Sequence, residues 1–381
     1  MPITSEITVK QPAFEAAVKW AAKWLDPKPA VPVWGGLKLA IDPASPGSLH
    51  VEAHSETVTA RAQIELVSGP INRRHEAVVS GRLLNDLAGT FAATKPVVVT
   101  GDGGDVAITS GKFRCTLPTF PDEDFPALPA RLPTIGAVSG AAFAAAVQRV
   151  GVAAGTDPSK GLILATMHLA FGEQAITVTG SDRRRAARAE VPWHSEVTGE
   201  TAVPLTTVLT GAADAFDGPD DIEIGLDGFT MSLTSPTRAL TMRLVDVGGD
   251  GWPTAALAPA FAFQQAHTAV LEVDGDLLRC LKRAAIVRGK AGPVRLTFTP
   301  GTLAIGAAQA EVHTESDDEI EIDYDGPEHT VAVNPEYLTA ALGSAPDGKP
   351  VQIGFGTPKK PVTLRSDADP TWRHVLMPVV I

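Results

Sequence analysis

Cysteine is almost missing from this chain: Cys115 and Cys280 are the only two in 381 residues. Without a C-x-x-C pair they exclude a disulfide framework, and both are expected to be reduced packing residues. Long apolar runs are also missing, since Lys, Pro or Gly breaks each one before membrane-spanning length. The N-terminal MPITSEITVKQ has no apolar segment behind a basic one, so the sequence predicts a cytoplasmic protein. Catalytic spacings are absent as well. The nine histidines include no H-E-x-x-H or other metal spacing, and there is no G-x-S-x-G. GTDPSKG at 155–161 lacks the Gly-Lys-Ser/Thr order of a phosphate loop and carries Pro158. DEDF at 122–125 sits in a Pro-rich stretch with no partnering His and reads as a solvated connector. We therefore expect no catalytic residue, no metal and no cofactor. Positive charge is not in excess either: the formal net charge is −12. Cut near residues 127 and 255, the thirds hold 12 basic against 14 acidic residues, 9 against 14, and 11 against 16. Any surface for a polyanion must therefore come from segregating charge within each third.

What the chain does have is a repeat. VKQPAFEAAVKWAAKW begins at Val9, VSGAAFAAAVQRVGVAA at Val138 and VDGDLLRCLKRAAIV at Val273, each with a large apolar residue five positions on: Phe14, Phe143 and Leu278. Phe14, Val18, Ala21 and Leu25 follow helical spacing, so each copy reads as a strand end entering an amphipathic helix. A second pattern recurs as VVSGRLLNDL from Val79, VPLTTVLTG from Val203 and VNPEYLTAAL from Val333, with Leu84, Val208 and Leu338 five on. Ser80, Thr206 and Asn334 are candidate helix caps, and Pro204 and Pro335 suit a first turn. Between the paired helices lie the alternating strands SLHVEA, AITVTG and TLAIGA, whose first apolar residues Leu49, Ile176 and Leu303 are 127 apart each time. Hairpin-like stretches follow each second helix, with Gly and Asp clusters at 101–105 and 227–228 where turns belong. The fold class expected is α+β, three tandem domains of like topology at 1–127, 128–255 and 256–381. TFPDEDFPALPARLP and GGDGWPTAALAP are the linkers.

Charge is segregated within this pattern. Lys19 and Lys23 lie opposite the apolar face of the first helix. In the third copy Arg279, Lys282 and Arg283 lie opposite Leu277, Leu281 and Ala284, and Arg288 and Lys290 follow. Residues 275–290 hold five basic residues and one acidic, whereas ESDDEIEIDYD at 315–325 holds seven acidic residues in strand-like alternation. A basic helix face is often merely solvated; recurrence in two copies, with Lys10, Lys28, Arg82, Arg149 and Lys160 in addition, points to a shared basic surface that binds phosphates without reading sequence. The acidic strand reads as a solvated outer face. One more feature needs an explanation: the chain ends in HVLMPVVI, residues 374–381, although a terminus usually frays.

In order, the stretches PAVPVWGGLKL, SGRLLNDL, SGKFRCTLPTFPDEDFPALP, VTGSDRRRAARAEV, RAAIV and VLMPVVI resemble the bacterial-type DNA sliding clamp, the β subunit of DNA polymerase III, over the whole chain. The resemblance is distant, as for a divergent or phage-borne member. It implies three DNA-clamp domains forming a half-ring, helices inside and sheets outside, and a homodimer closed head to tail around duplex DNA. Such a ring has no active site; it is a processivity factor that tethers the replicative polymerase, the clamp loader and other clamp-binding proteins. It also implies why the end is apolar, since in this family the last strand lines a cleft for partner peptides. By matched motif the cleft is Leu164, Ser181, Arg183, Arg184, Arg185, Ala186, Pro253, Leu257, Pro361, Val375, Leu376, Met377, Pro378 and Val379. The implied subunit contact joins Cys115 and Leu117 to Ile286 and Val287. Two competing readings are a clamp-fold scaffold without a replication role and a β-rich enzyme using scattered carboxylates; ring formation in solution separates them from the clamp.

Overall fold

The computed structural model describes residues 6–41, 45, 47–69, 75–102, 104–195, 197–249, 251–288, 292–309, 314–346, 350–357 and 360–380. The fold is α+β. Among the described residues seven α-helices stand between many short strands: α1 (Gln11–Ala22), α2 (Gly81–Ala88), α3 (Gly140–Gly151), α4 (Thr206–Ala215), α5 (Thr254–Ala262), α6 (Gly275–Val287) and α7 (Pro335–Gly343). All but α5 fall where the two repeated helix patterns put them.

The repeat is a packing rule. Leu49, Ile176 and Leu303 are all buried, as are Phe14, Phe143, Leu84 and Leu338. Val208 and Leu278 depart from the rule: both are half-buried, and Leu209 and Leu277 take their places in the core. For Val208 the cause is the start of α4, three residues after Val203, whereas α2 and α7 start two after Val79 and Val333. One residue turns a helix face by roughly 100°. Ser80 and Asn334 cap their helices as expected, accepting from the backbone N–H of Leu83 and of Glu336 and Tyr337. Thr206 does not cap: it is already helical, and its buried hydroxyl has no hydrogen-bond partner. Ser139 and Asp274, which the patterns did not single out, cap α3 and α6.

The second expected linker contains α5. Its Ala-rich sequence favours helix, but none of its residues is buried, so no apolar period marks it. The first linker behaves as read: Glu123 and Asp124 are exposed, while Phe125 packs with Val33 and Val78. GTDPSKG is a capped turn, in which Asp157 accepts from the Ser159 backbone at 3.1 Å and from its hydroxyl at 2.6 Å.

The chain forms two compact units, Met1–Ala137 with Asp220–Arg243, and Val138–Pro219 with Leu244–Ile381. They cross the boundaries at 127 and 255 because the sheets do. In the first unit the strand Arg238–Arg243 runs antiparallel to Val58–Ser68, with Leu240 opposite Ala60. In the second, Arg185–His194 runs antiparallel to the C-terminal strand Asp369–Leu376, with Ala186 opposite Val375.

That last pairing explains the apolar end. His374 lies opposite Ala187 on one side and Leu364 on the other, in a row that continues through Ile353 to Ala269. All five side chains are fully buried. Beyond the strand, the Met377 N–H donates to the Arg184 carbonyl and the Val379 N–H to the Ala332 carbonyl, both at 2.8 Å. Ile381 lies outside the described residues.

Neither ring nitrogen of His374 has a hydrogen-bond partner. Burial, helped by the nearby Arg185 charge, lowers its pKa from 6.5 to about 3. Between these two values the unfolded chain binds a proton that the folded chain does not, so stability falls as pH drops below 6.5 and stops falling near 3. Between pH 7.5 and pH 5 the loss from this one ring is about 2 kcal/mol. A His374→Leu variant is therefore expected to lose less stability than the wild type over that interval, read by urea denaturation. Parallel curves would contradict the burial argument.

Candidate functional site

Each unit presents its own cations on helices. In the first, Lys10, Lys19, Lys23, Lys28 and Arg82 are on or beside the packed pair α1 and α2, and Lys10, Lys23, Lys28 and Arg82 are exposed and have no ion pair among the described residues. Lys19 bonds Glu15 one turn back, at 2.5 Å, which together with Gln11 holds the Glu15 carboxyl below its usual range. In the second unit most of the cations already have partners. Arg149 is half-buried and pairs with Asp369 at 3.4 Å, and Lys160 pairs with Asp157 at 3.5 Å. Arg279 pairs with Asp276. Arg283 is held by both oxygens of Asp318, at 2.9 and 2.7 Å, and reaches the Cys280 sulfur at 3.3 Å. That hydrogen-bonded pair raises the guanidinium and lowers the carboxyl from their ordinary values. Lys282 alone of the α6 cations is exposed and unpaired among the described residues.

Two expectations need correcting. Arg288 does not extend the basic surface: it is 6% exposed, caps the end of α6, and pairs with Glu336 while donating to the Gly292 carbonyl. Lys290 lies outside the described residues. The acidic strand Thr314–Glu321 is not simply solvated. Glu315, Asp317, Glu319 and Glu321 are exposed, but the alternate residues Asp318 and Ile320 are half-buried, with Asp318 reaching Arg283 on α6 and Ile320 packing on the core.

The expected partner groove begins at the turn 181–185. The Ser181 hydroxyl donates to the Arg185 carbonyl at 2.9 Å and accepts from the Arg183 N–H at 3.2 Å. Arg183 has φ of 73°, the only positive value outside glycine among the described residues. Asp182 accepts from the backbone of Arg184 and Arg185 at 3.0 Å and from the Arg185 side chain at 2.9 Å. Arg185 in turn lies 4.3 Å over the Tyr337 ring. Asp182 and Tyr337 are therefore part of the site's frame, and sequence reasoning missed both.

Along the C-terminal strand the expected residues divide. Val375 and Leu376 are 3% and 1% exposed, so they support the site from beneath. Ala186, opposite Val375, and Ser181 are buried too. Met377 and Val379 are exposed and Pro378 is half-buried. Val380, not expected, is 67% exposed and extends the apolar surface. Leu164, Leu257 and Pro361 are half-buried and Pro253 is exposed. Leu164 lies in a 3-10 turn, Pro253 and Leu257 at α5, and Pro361 just before the neighbour of the last strand.

The expected contact residues also divide. Phe113–Leu117 pairs on one side only among the described residues, with Asp105–Ser110. Its Phe113 is exposed and Cys115 half-buried, but Leu117 is fully buried and can offer only backbone. At the end of α6, Ile286 is 71% exposed and Val287 half-buried. Thr314–Glu321 is likewise paired only on its Thr302–Gln309 side among the described residues.

Repeated strand and helix units, cations on helices and strands open on one edge define the fold of a DNA clamp. The DNA polymerase III subunit beta of Pseudomonas aeruginosa matches 99% of this chain and 100% of its own with a TM-score of 0.89 at 18% identity. The beta subunit of Thermotoga maritima matches over the same shares with 0.86 at 18%. The beta sliding clamp of Streptomyces coelicolor is 30% identical over 98% of this chain and 99% of its own, and that of Micrococcus luteus 32% identical over 80% and 96%. Residues 5–129 match the DNA polymerase III beta subunit N-terminal domain and 262–380 its C-terminal domain. The chain belongs to the DNA polymerase III beta subunit family, the beta sliding clamps.

Among the described residues no group of three or more His, Cys, Asp or Glu could hold a metal ion, and no helix is long and apolar enough to cross a membrane. The pairing of the helical cations ranks them. In titrations of free protein with duplex DNA, Lys23→Ala and Lys282→Ala are expected to weaken binding and to flatten the salt dependence by about one unit of slope each. Lys19→Ala and Arg283→Ala should do less. Equal losses from all four would show that the ion pairs open to DNA at no cost.

Proposed function

We propose that two copies of this chain close head to tail into a ring around duplex DNA. The ring holds the replicative polymerase, the clamp loader and other clamp-binding proteins on it as a cytoplasmic, non-catalytic tether without a cofactor. The repeats 1–127, 128–255 and 256–381 act as its three domains. The observation that carries this reading is the pair of strands open on one side, Phe113–Leu117 in one unit and Thr314–Glu321 in the other. Open edges invite unwanted pairing. A head-to-tail contact that closes after two copies covers both edges of both chains. Phe113 and Cys115, with the backbone at Leu117, would then meet Ile286 and Val287 of the second copy, removing the exposed Ile286 from water.

The helical cations, with Lys23 and Lys282 foremost, face the duplex and contact phosphates without reading bases. The exposed tail residues Met377 and Val379 supply the groove for short apolar peptides; a Met side chain adapts to several partners. Two results are expected from sedimentation and peptide binding. Replacing Ile286 and Val287 by Asp yields monomers where the wild type is a dimer. Deleting residues 377–381 abolishes binding of a fluorescent polymerase-derived peptide and leaves the dimer intact. A wild-type protein that sediments as a monomer at micromolar concentration would overturn the ring, and unchanged peptide affinity after the deletion would overturn the groove.

A further inference from the structure

Helix α5 cannot hold its own position. It is nine residues long, buries no side chain, has no side-chain cap, and contains Pro259. A helix of that length is marginal alone, and an internal proline removes a backbone donor. Yet α5, which starts directly after Pro253, packs beside the C-terminal strand and carries Leu257. Something at its ends must fix it.

At its start, the buried Trp252 ring stacks on His168 with centroids 5.3 Å apart and planes at 20°. Its Nε1–H donates to the Thr166 hydroxyl at 3.1 Å, and that hydroxyl donates to the Ile163 carbonyl at 2.7 Å. Ile163 belongs to the turn Leu162–Ala165, which bears Leu164. The Leu164 carbonyl is held in turn by the Gly155 N–H at 2.8 Å, and a Cβ at 155 would come within 2.7 Å of that oxygen. A chain of two hydrogen bonds therefore joins the start of α5 to the turn that bears Leu164. Just past its end, Gln265 donates from Nε2 to the Pro361 carbonyl. The same side chain fills the space over Gly354, where a Cβ would lie 2.6 Å from the Gln265 Cγ. The Lys360 ammonium sits 5.2 Å over Phe263, the residue that ends the helix.

We infer that Trp252 and Gln265 are positioning residues of the partner groove, tying α5 at one end to Leu164 and at the other to Pro361 so that it stands as a wall. The inference rests on the groove reading above. A wall fixed before the peptide arrives spares the complex the entropy of ordering it.

The test uses the full-length protein and the same polymerase-derived peptide. Trp252→Phe keeps an aromatic ring and loses the N–H; Thr166→Val loses the hydroxyl; Thr166→Ser keeps it; Gln265→Met keeps the length and loses the amide. Peptide affinity should fall about two- to tenfold in the first, second and fourth, the range of one net hydrogen bond, and stay at the wild-type value in Thr166→Ser. The Trp252→Phe, Thr166→Val double variant should be no weaker than Thr166→Val alone, because that substitution already breaks the Trp252 bond along with the bond to Ile163. A wild type that binds peptide while these variants bind equally well overturns the inference. A wild type that binds no peptide overturns the groove reading instead. Amide exchange over residues 162–166 and 254–262 then decides the positioning role: faster exchange in Trp252→Phe supports it, and unchanged exchange overturns it.

Discussion

The second unit depends on one strand. Asp369–Leu376 is hydrogen-bonded on one side to Val362–Ser366 and on the other to Arg185–His194, joining stretches of chain almost two hundred residues apart. Its inward residues Trp372 and Leu376 belong to the large core built on α6, α7 and their strands. Its outward continuation, Met377 to Val380, is held by two further backbone bonds. A chain end ordered this thoroughly retains few of its conformations, and only burial of a nearly continuous apolar stretch offsets that loss. The proposed groove is therefore a by-product of the way the unit is closed.

The ion pairs on the helices change how the basic surface works. Lys19, Arg279 and Arg283 each have a carboxylate within reach, and the chain as a whole is acidic. Exposed pairs of this kind are worth roughly 0–1 kcal/mol, so a phosphate can replace the carboxylate at little cost and with little gain. Contacts so shallow suit a protein that slides. Retention on DNA then has to come from topology.

Most of the fold was legible because a buried face has a period. Leu49, Ile176 and Leu303 recur at 127 residues and all sit in the core. Two of three proposed caps hold, Ser80 and Asn334, since a cap needs only a short-range hydrogen bond. Helix α5 was invisible because it buries nothing, and its proline and the preceding glycines look like a linker. The roles of Arg288 and Asp318 were hidden for a different reason: each is decided by a partner on another element, Glu336 and Arg283. The proposed groove is legible only through resemblance. Tyr337 under Arg185 is 152 positions along the chain, and no local pattern announces such a pair. Resemblance also could not say which residues are exposed: Val375 and Leu376 of the expected groove and Leu117 of the expected subunit contact are buried.

The central claim is that a closed ring, and not affinity, keeps this protein on DNA. The most direct measurement loads it onto a nicked circular duplex with a competent clamp loader, washes with salt that removes free protein, and then cuts the circle once. The account predicts retention through the wash and release on cutting, because an encircling ring leaves only by opening or over an end. Equal retention on the circle and on the cut, linear DNA would contradict it.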